Sequence, residues 1–319
     1  MIRVAINGFG RIGRAFYKLA SVNKNIQIVA INDLAKKTDL EYLLKYDSVY
    51  GRFDISPLAK VKFFQEKDPK NLPWREMNID IVVESTGFFR DKSKAQAHLD
   101  AGAKRVVISA PSNDATTVLV GANEEKLNTC EISSNASCTT NSINPIVGIM
   151  EEAVGIESAL LNTIHAYTAT QSIVDSINKK DLRRGRTAGI NIIPTTTGAA
   201  KATAKAHKNL EGKFDGIALR VPVPAGSIAD LTFIAKTEKT KEEINEILKT
   251  SAQMEKWKRV FAVTDEPLVS TDILGRPKAS IADLSMTRTA GKLVKILAWY
   301  DNEVGYASSL LHHILSIKL

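Results

Sequence analysis

The turn near the N-terminus constrains the fold more than any other segment. Gly8, Gly10 and Gly13 have the spacing Gly-x-Gly-x-x-Gly, after an alternating apolar stretch typical of a strand and before residues that favour a helix. Asp33 ends the next apolar segment, 20 residues after Gly13. Such glycines let the backbone approach a pyrophosphate at a helix N-terminus. The pattern predicts a dinucleotide-binding unit, and a turn of this kind that holds no ligand is the alternative.

Asp33 bears on which dinucleotide would bind. A carboxylate at the end of this strand can accept hydrogen bonds from ribose hydroxyls and would repel a 2′-phosphate. We therefore expect NAD as the cofactor, with NADP as the weaker candidate. A carboxylate that only caps the end of the strand is the alternative for this residue.

Predicted strands and helices alternate in the first part of the chain. The predicted strands are 2–6, 26–31, 79–83, 105–109 and 117–120, and helices are expected after Gly13 and at 91–101. Several of these strands are almost wholly apolar, as strands buried on both faces of a parallel sheet are. We expect an α/β, Rossmann-type dinucleotide-binding domain over residues 1–137, joined by a C-terminal helix at 303–319.

The pattern changes after residue 137. Strands are predicted at 159–167, 216–223, 230–235 and 293–299, and a helix at 241–252. Thr240 and Glu243 have the spacing of a capping box at the start of that helix. We expect an α+β catalytic domain over residues 138–302, with a mixed or antiparallel sheet.

Charge and composition limit the partners and the location. The chain has 43 basic and 35 acidic residues, a formal charge of +8 that suits anionic ligands. The basic residues are dispersed, and pairs such as Lys179-Lys180 are interpreted as solvated surface, so nucleic acid is not expected as the primary partner.

No apolar stretch approaches the length of a membrane span, and no cleaved leader is expected. With two cysteines, we expect a reducing compartment, the cytoplasm.

Cys138 and His165 are the candidates for covalent chemistry. Cys138 lies among small polar residues just before the apolar segment 143–150, which predicts a helix N-terminus whose dipole would lower the pKa of the thiol. His165 ends an apolar run and could act as the base for this thiol or stabilise its thiolate. A buried structural cysteine and a hydrogen-bonded histidine are the alternatives, and Cys130 is assigned the structural role. No Cys/His spacing typical of zinc occurs, so no metal is expected.

Several hydroxyl and guanidinium groups could hold anions. They are Thr168, the arginines at 183, 184 and 186, the segment 195–198 and Arg220. Such groups match the needs of phosphate oxygens. Sequence spacing alone does not bring them together.

Blocks along essentially the whole chain resemble the phosphorylating glyceraldehyde-3-phosphate dehydrogenase family. They include AINGFGRIGR (5–14), SNASCTTN (134–141), HAYTATQ (165–171), DLRRGRTAGINIIPTTTGAAKA (181–202), RVPVPAGSIADLT (220–232) and WYDNEVGY (299–306). The resemblance implies oxidation and phosphorylation of D-glyceraldehyde 3-phosphate to 1,3-bisphosphoglycerate through a cysteine thioester. It also implies NAD, inorganic phosphate, a homotetramer and a place in glycolysis or gluconeogenesis.

The resemblance assigns roles to individual positions. Cys138 matches the nucleophile and His165 its activator. The matching cofactor positions are Gly8, Gly10, Arg11, Ile12, Gly13, Asp33, Lys67, Ser109 and Asn302. The matching substrate and phosphate positions are Ser137, Cys138, Thr139, Thr168, Arg184, Thr197, Gly198 and Arg220. Lys67 stands where the family often has arginine, and Arg184 lies in a loop that reaches a neighbouring subunit in the family.

Two other functions compete with this one. Erythrose-4-phosphate dehydrogenase shares the fold, the cysteine and the histidine, although segments 166–170 and 195–201 have the glyceraldehyde-3-phosphate form. A non-catalytic protein that binds nucleotides or nucleic acid through the same cleft is the second alternative.

Overall fold

A computed structural model describes residues 1–179 and 181–319. Lys180, one half of the Lys179-Lys180 pair, lies outside the described residues. The chain forms two compact units. The first comprises Met1–Ser137 with Ala307–Leu319, and the second comprises Cys138–Tyr306. No helix in the described residues combines the length and the apolar character needed to cross a membrane.

The first unit is built on a parallel sheet. Its strands are β1 (Ile2–Asn7), β2 (Ile26–Asn32), β3 (Tyr46–Asp47), β4 (Gly51–Arg52), β5 (Lys62–Phe64), β6 (Ile81–Glu84), β7 (Arg105–Ile108), β8 (Thr116–Thr117) and β9 (Ile132–Ser134). Its helices are α1 (Arg11–Ala20), α2 (Lys37–Lys45) and α3 (Lys92–Asp100). The sheet order is β5-β2-β1-β6-β7-β9-β8 with parallel pairing, while β3 and β4 form a separate hairpin.

Both faces of this sheet are buried, which explains the apolar strands. Val4 and Ile6 pack in one cluster with Phe16 of α1 and with residues of the C-terminal helix. Ala5 and Val82 point into a second cluster on the other face. Helices connect parallel strands and cover both faces, and this gives a Rossmann-type unit. The predicted Rossmann-type α/β fold is confirmed, although the strand predicted at 117–120 is limited to β8.

The second unit contains a mixed sheet. Its strands are β10 (Ile156–Ala166), β11 (Ile193–Thr196), β12 (Phe214–Val221), β13 (Ser227–Ala235), β14 (Phe261–Thr264), β15 (Ser280–Ala290) and β16 (Leu293–Tyr300). Its helices are α4 (Cys138–Ala153), α5 (Ala199–Ala206) and α6 (Lys241–Gln253). The C-terminal helix α7 (Val304–Leu315) begins in the range of this unit, and its residues from Ala307 onward belong to the first unit. The order is β11-β12-β10-β13-β16-β15-β14, in which β10–β12 and β14–β15 are parallel and the other pairs are antiparallel. The prediction of an α+β unit with a mixed sheet is confirmed.

Helices cover one face of this sheet. Along β10, Ala159, Leu161 and Thr163 are buried, and α4, α5 and α6 pack against the sheet. Residues of alternate register, such as Leu160, point outward. The capping box of α6 is present, because Thr240 accepts from the Glu243 amide and Glu243 accepts from the Thr240 amide.

Sequence patterns missed several elements that the structure contains, among them α2, α5, β14 and β15. The helices α2 and α5 are short, and β14 has only four residues. In β15 the register shifts between Asp283 and Arg288, so its outer half lacks a clean alternation of buried and exposed residues. These elements are stabilised by tertiary packing rather than by a strong local pattern.

Candidate active site and cofactor cleft

The three glycines of the N-terminal turn do different things. A Cβ on Gly8, which has φ +92°, would lie 2.6 Å from the Thr86 amide nitrogen. A Cβ on Gly13 would lie 2.2 Å from the Gly8 carbonyl oxygen. A Cβ on Gly10, the residue before α1, would meet no described atom within 4 Å. Gly8 and Gly13 therefore allow α1 to pack closely on the sheet, while Gly10 leaves the helix N-terminus accessible to a pyrophosphate.

A cleft of about 480 Å³ lies beside this turn in the first unit. Its lining includes Asn7, Gly8, Asn32, Asp33, Leu34, Glu66, Lys67, Thr86, Phe88 and Phe89. Asp33 accepts hydrogen bonds from the amides of Phe9, at 2.7 Å, and Ala35, at 2.9 Å. Each carboxylate oxygen has more than one acceptor position, so Asp33 can still accept from a ribose hydroxyl. The donors and acceptors of this cleft, together with the accessible helix N-terminus after Gly10, fit a dinucleotide.

The other predicted cofactor residues are distributed over both units. Arg11 contacts Asp47 through Nη1 at 3.1 Å. Ile12 is half-buried in α1, and Ser109 follows β7 with its amide donating to the Glu84 carbonyl at 2.9 Å. The structure thus brings Asp33 and Lys67 to one cleft, while Ser109 follows β7, which is three positions from β2 in the sheet order.

Asn302 belongs to the second unit, and its orientation is fixed by hydrogen bonds. Its Oδ1 accepts from the Gly226 amide at 3.1 Å and from the Ser227 hydroxyl at 3.0 Å. The same Ser227 oxygen accepts from the Ala166 amide at 3.1 Å. Ser227, which the sequence did not single out, therefore links Asn302 to the strand that carries His165.

Cys138 and His165 are brought together. The prediction that Cys138 begins a helix is confirmed, since α4 starts at that residue. Two residues earlier Ala136 has φ +54°, a left-handed conformation that alanine rarely adopts. The Cys138 Sγ lies 3.3 Å from Nε2 of His165, which is 4% exposed at the end of β10. The pair is therefore within hydrogen-bond reach, as covalent catalysis with an adjacent base requires.

Arg220 completes this group from the adjacent strand. It pairs with His165 in the β10–β12 register, and its Nη1 lies 2.6 Å from His165 Nδ1. His165 Nδ1 is also 2.6 Å from the Ala166 carbonyl oxygen. Arg220 can only donate, and the Ala166 carbonyl oxygen, 3.1 Å from Arg220 Nη1, can accept from both Arg220 and His165 Nδ1. In the tautomer whose proton is on Nδ1, Arg220 donates to this carbonyl rather than to Nδ1, and Nε2 has a lone pair for the thiol proton of Cys138.

Burial dominates the electrostatics of the three groups. It raises the pKa of the Cys138 thiol, an effect that the Arg220 charge and the Thr139 hydrogen bonds oppose. Burial and the Arg220 charge lower the pKa of His165 to about 3. Burial also lowers the pKa of Arg220. The backbone amides of Cys138 and Thr139 at the helix N-terminus lower the pKa of the thiol, as the sequence predicts, but burial outweighs them and the net pKa is raised.

Tyr300 supports the pair and was not identified from the sequence. Its hydroxyl is 2.9 Å from Thr139 Oγ1 and 2.7 Å from Thr163 Oγ1, so it joins the first turn of α4 to β10. The edge of its ring packs on His165, with centroids 5.9 Å apart. Burial raises the pKa of Tyr300, so its hydroxyl stays protonated and available as a donor.

The predicted anion-binding residues are each held by different hydrogen bonds to nearby residues. Arg184 donates to Thr195 Oγ1 from Nε at 2.8 Å and from Nη2 at 2.7 Å, and its charge helps to lower the pKa of Arg220. Thr197 accepts from the Ala199 amide at 3.2 Å, and Gly198 is the residue before α5. Thr168 bonds Thr170 at 2.8 Å between hydroxyl oxygens.

In the part of the chain that the structure describes, these anion-binding residues differ in how they relate to the catalytic pair. Arg220 contacts His165 directly, whereas Thr168 and Thr197 form no hydrogen bond with Cys138 or His165. Ser137 and Thr139 flank Cys138 in the sequence. The structure thus assembles Cys138, His165 and Arg220 as one group.

Two protein-family models match the chain. One, described as "Glyceraldehyde 3-phosphate dehydrogenase, NAD binding domain", matches residues 2–92. The other, described as "Glyceraldehyde 3-phosphate dehydrogenase, C-terminal domain", matches residues 137–302. The first match contains the glycine turn and Asp33, and the second contains Cys138, His165 and Arg220.

Curated relatives are similar over nearly the full length. Glyceraldehyde-3-phosphate dehydrogenase 1 of Streptomyces avermitilis is 45% identical, covering 97% of this chain and 96% of the relative. Glyceraldehyde-3-phosphate dehydrogenase 2 of Bacillus subtilis is 46% identical, covering 98% and 96%. Glyceraldehyde-3-phosphate dehydrogenase 2 of Saccharomyces cerevisiae is 46% identical, covering 98% and 99%.

The glycine turn offers a matched pair of substitutions. Gly8→Ala should lower the free energy of unfolding by more than about 2 kcal/mol, because its Cβ meets Thr86 backbone at a positive φ. Gly10→Ala should change it by less than about 0.5 kcal/mol, yet weaken dinucleotide binding. Denaturant unfolding and calorimetric titration with NAD measure the two effects. Equal destabilisation by both variants would contradict the division of roles.

Proposed function

The chain belongs to the glyceraldehyde-3-phosphate dehydrogenase family, and from that premise we propose how its residues carry out the reaction. It is an NAD-dependent oxidoreductase that converts D-glyceraldehyde 3-phosphate and inorganic phosphate to 1,3-bisphosphoglycerate. The erythrose-4-phosphate alternative gains no support from the relatives described above. The observation that carries our residue assignment is the 3.3 Å separation of Cys138 Sγ and His165 Nε2.

The first step forms a bond between sulfur and the aldehyde carbon. Cys138 Sγ attacks the carbonyl while His165 Nε2 takes the thiol proton and passes it to the carbonyl oxygen, giving a hemithioacetal. Because burial raises the pKa of the thiol, transfer to His165 during the attack supplies the nucleophile. The Arg220 charge favours the sulfur anion that forms as the proton leaves.

The second step is the oxidation. His165 takes the hydroxyl proton of the hemithioacetal as hydride leaves the carbon, and the carbonyl reforms as a thioester of Cys138. NAD, when bound, supplies the hydride acceptor at its nicotinamide C4. Asn302, whose amide is oriented by Gly226 and Ser227, is the residue we assign to the nicotinamide carboxamide.

The third step releases the product. A phosphate oxygen attacks the thioester carbonyl, the carbon–sulfur bond breaks, and the departing sulfur of Cys138 regains a proton from His165. The proton of the attacking phosphate is released to solvent. The thioester keeps much of the oxidation energy, so the product is an acyl phosphate, and two moderate barriers replace one high barrier.

The anion sites follow from charge and hydrogen-bond donors. We assign the substrate phosphate to Thr168 and Arg220, and inorganic phosphate to Ser137, Thr197 and Gly198. A dianion beside Arg220 would offset the charge that lowers the pKa of His165. Binding of the phosphorylated substrate therefore makes His165 a stronger base at the time when the reaction needs one.

Replacing the thiol tests the nucleophile. Cys138→Ser should reduce aldehyde oxidation roughly a thousandfold or more, because a hydroxyl is a far weaker nucleophile, and should leave NAD affinity unchanged. Cys130→Ser is the matched control, since Cys130 is half-buried against the core of the first unit and should tolerate the change. NADH absorbance and calorimetry measure the two quantities. Turnover by Cys138→Ser comparable to that of Cys130→Ser would refute the assignment.

We also propose that the chain forms a homotetramer and works in the cytoplasm. The outward face of the second sheet carries the exposed apolar residues Leu160, Ile217, Ile234 and Leu293. The segment 173–192, which contains Arg184, carries six more: Ile173, Val174, Ile177, Leu182, Ile190 and Ile192. Exposed apolar side chains in such number usually mark an interface. Identical copies that cover these surfaces would bury the apolar side chains.

A charge placed on that sheet face tests the assembly. The unmodified protein should sediment as four chains, and Leu160→Asp should produce smaller species, because a buried unpaired carboxylate opposes association. Val22→Asp, at a position that is also exposed but in the first unit, should leave four chains together. Analytical ultracentrifugation at micromolar concentration measures the masses. A monomeric unmodified protein would contradict the proposal.

A further inference from the structure

We propose that the buried pair Glu84–His98 positions the cofactor cleft that Asp33 and Lys67 line, so that Glu84 is a positioning residue for the dinucleotide. The inference rests on the NAD-dependent function proposed above. None of the site residues expected from the sequence includes either member of this pair.

Glu84 receives donors on both carboxylate oxygens. It ends β6 and is 1% exposed. Its Oε2 accepts from Asn7 Nδ2 at 2.5 Å and lies 3.2 Å from His98 Nε2. Its Oε1 accepts from the Thr86 amide at 2.8 Å and from the Thr86 hydroxyl. A carboxylate is the side chain that can accept at all of these positions.

The tautomer of His98 follows from its other neighbour. Trp74 Nε1 can only donate, and it lies 3.1 Å from His98 Nδ1. His98 Nδ1 is therefore an acceptor, and the ring proton is on Nε2, which donates to Glu84. Trp74 and His98 are both fully buried, so water does not replace either bond.

Hydrogen bonds extend from Glu84 to one wall of the cleft. Asn7 Oδ1 accepts from Asn32 Nδ2 at 2.7 Å. Asn32 also exchanges two hydrogen bonds with the backbone of Glu66, at 2.9 and 2.8 Å. Lys67 follows Glu66 directly. One carboxylate thus fixes the ends of β1 and β2 and the segment that presents Lys67.

A second group of cleft residues depends on the same carboxylate. The Thr86 hydroxyl, held by Glu84, accepts from the Phe88 amide at 3.1 Å. The Phe89 ring packs edge-on against His98, with centroids 6.1 Å apart. Thr86, Phe88 and Phe89 line the cleft, as Asn7, Asn32 and Glu66 also do. Displacing the carboxylate should therefore change the width of the cleft.

Glu84→Gln changes hydrogen bonding without changing volume. Whichever way the amide turns, its NH₂ group faces at least one fixed donor, either Asn7 Nδ2 and His98 Nε2 or the Thr86 backbone amide. His98 cannot become the acceptor at Nε2 without losing the bond from Trp74. A buried donor facing donors is unstable, so the local structure must rearrange.

Binding of ADP-ribose, which carries no nicotinamide, tests this inference without any chemistry. By calorimetry, Glu84→Gln should raise the Kd of ADP-ribose and of NAD roughly tenfold. Glu76→Gln, at an exposed turn of the same unit, loses the same charge and should leave both values unchanged. The rate at which iodoacetamide alkylates Cys138 without dinucleotide should be unaltered in both variants. Unchanged affinities in Glu84→Gln, with only a lower Tm, would overturn the proposal.

A milder variant keeps the test informative if Glu84→Gln does not fold. Thr86→Val removes the hydroxyl that links Glu84 to Phe88 and should raise the Kd of ADP-ribose roughly threefold. An unchanged Kd in folded Thr86→Val would also overturn the proposal. Normal ADP-ribose binding by an unmodified protein that does not oxidise the aldehyde would count against the proposed function and leave this inference standing.

Discussion

The hydrogen bond between the Cys138 thiol and the His165 imidazole, 3.3 Å long, is the interaction on which the second unit's chemistry depends. Each partner is held by a different element, since α4 begins at Cys138 and β10 ends just after His165. Tyr300 joins these elements through Thr139 and Thr163. The mixed sheet therefore fixes the separation of two groups that must exchange a proton.

Because the catalytic pair is buried, its reactivity depends on the charges of Arg220 and of the substrate phosphate. The low-dielectric surroundings disfavour a charge on either Cys138 or His165, and Arg220 opposes that effect for the thiol while strengthening it for the imidazole. The negative charge of a phosphorylated substrate would offset the Arg220 charge, and this would raise the pKa of His165. The positive charge beside the pair thus links recognition of the substrate phosphate to proton transfer at the thiol.

The sequence predicted those features that depend on local order along the chain. The spacing of Gly8, Gly10 and Gly13 indicated the strand–turn–helix, and the small polar residues around Cys138 indicated the start of α4. Both the glycine turn and the start of α4 depend on the backbone conformations of residues that are adjacent in the sequence. The apolar strands likewise indicated a parallel sheet, because burial on both faces leaves few polar positions.

Features that depend on distant residues were not predictable in this way. Tyr300 and Thr163 are 137 positions apart, and Glu84 and Asn7 are 77 apart, so no spacing rule connects them. The net direction of the Cys138 pKa shift was also not predictable, because the degree of burial, which outweighs the helix N-terminus, cannot be read from neighbouring residues. In both units the missed side chains are buried polar groups that fix residues the sequence did identify.

Trapping the covalent intermediate tests the central claim most directly. Enzyme, D-glyceraldehyde 3-phosphate and NAD are mixed without inorganic phosphate, quenched in acid, digested and analysed by mass spectrometry. The account predicts a phosphoglyceroyl group on the peptide that contains Cys138, and its loss when inorganic phosphate is added before the quench. An acyl group on another residue, or oxidation of the aldehyde with no acyl group on Cys138, would contradict it.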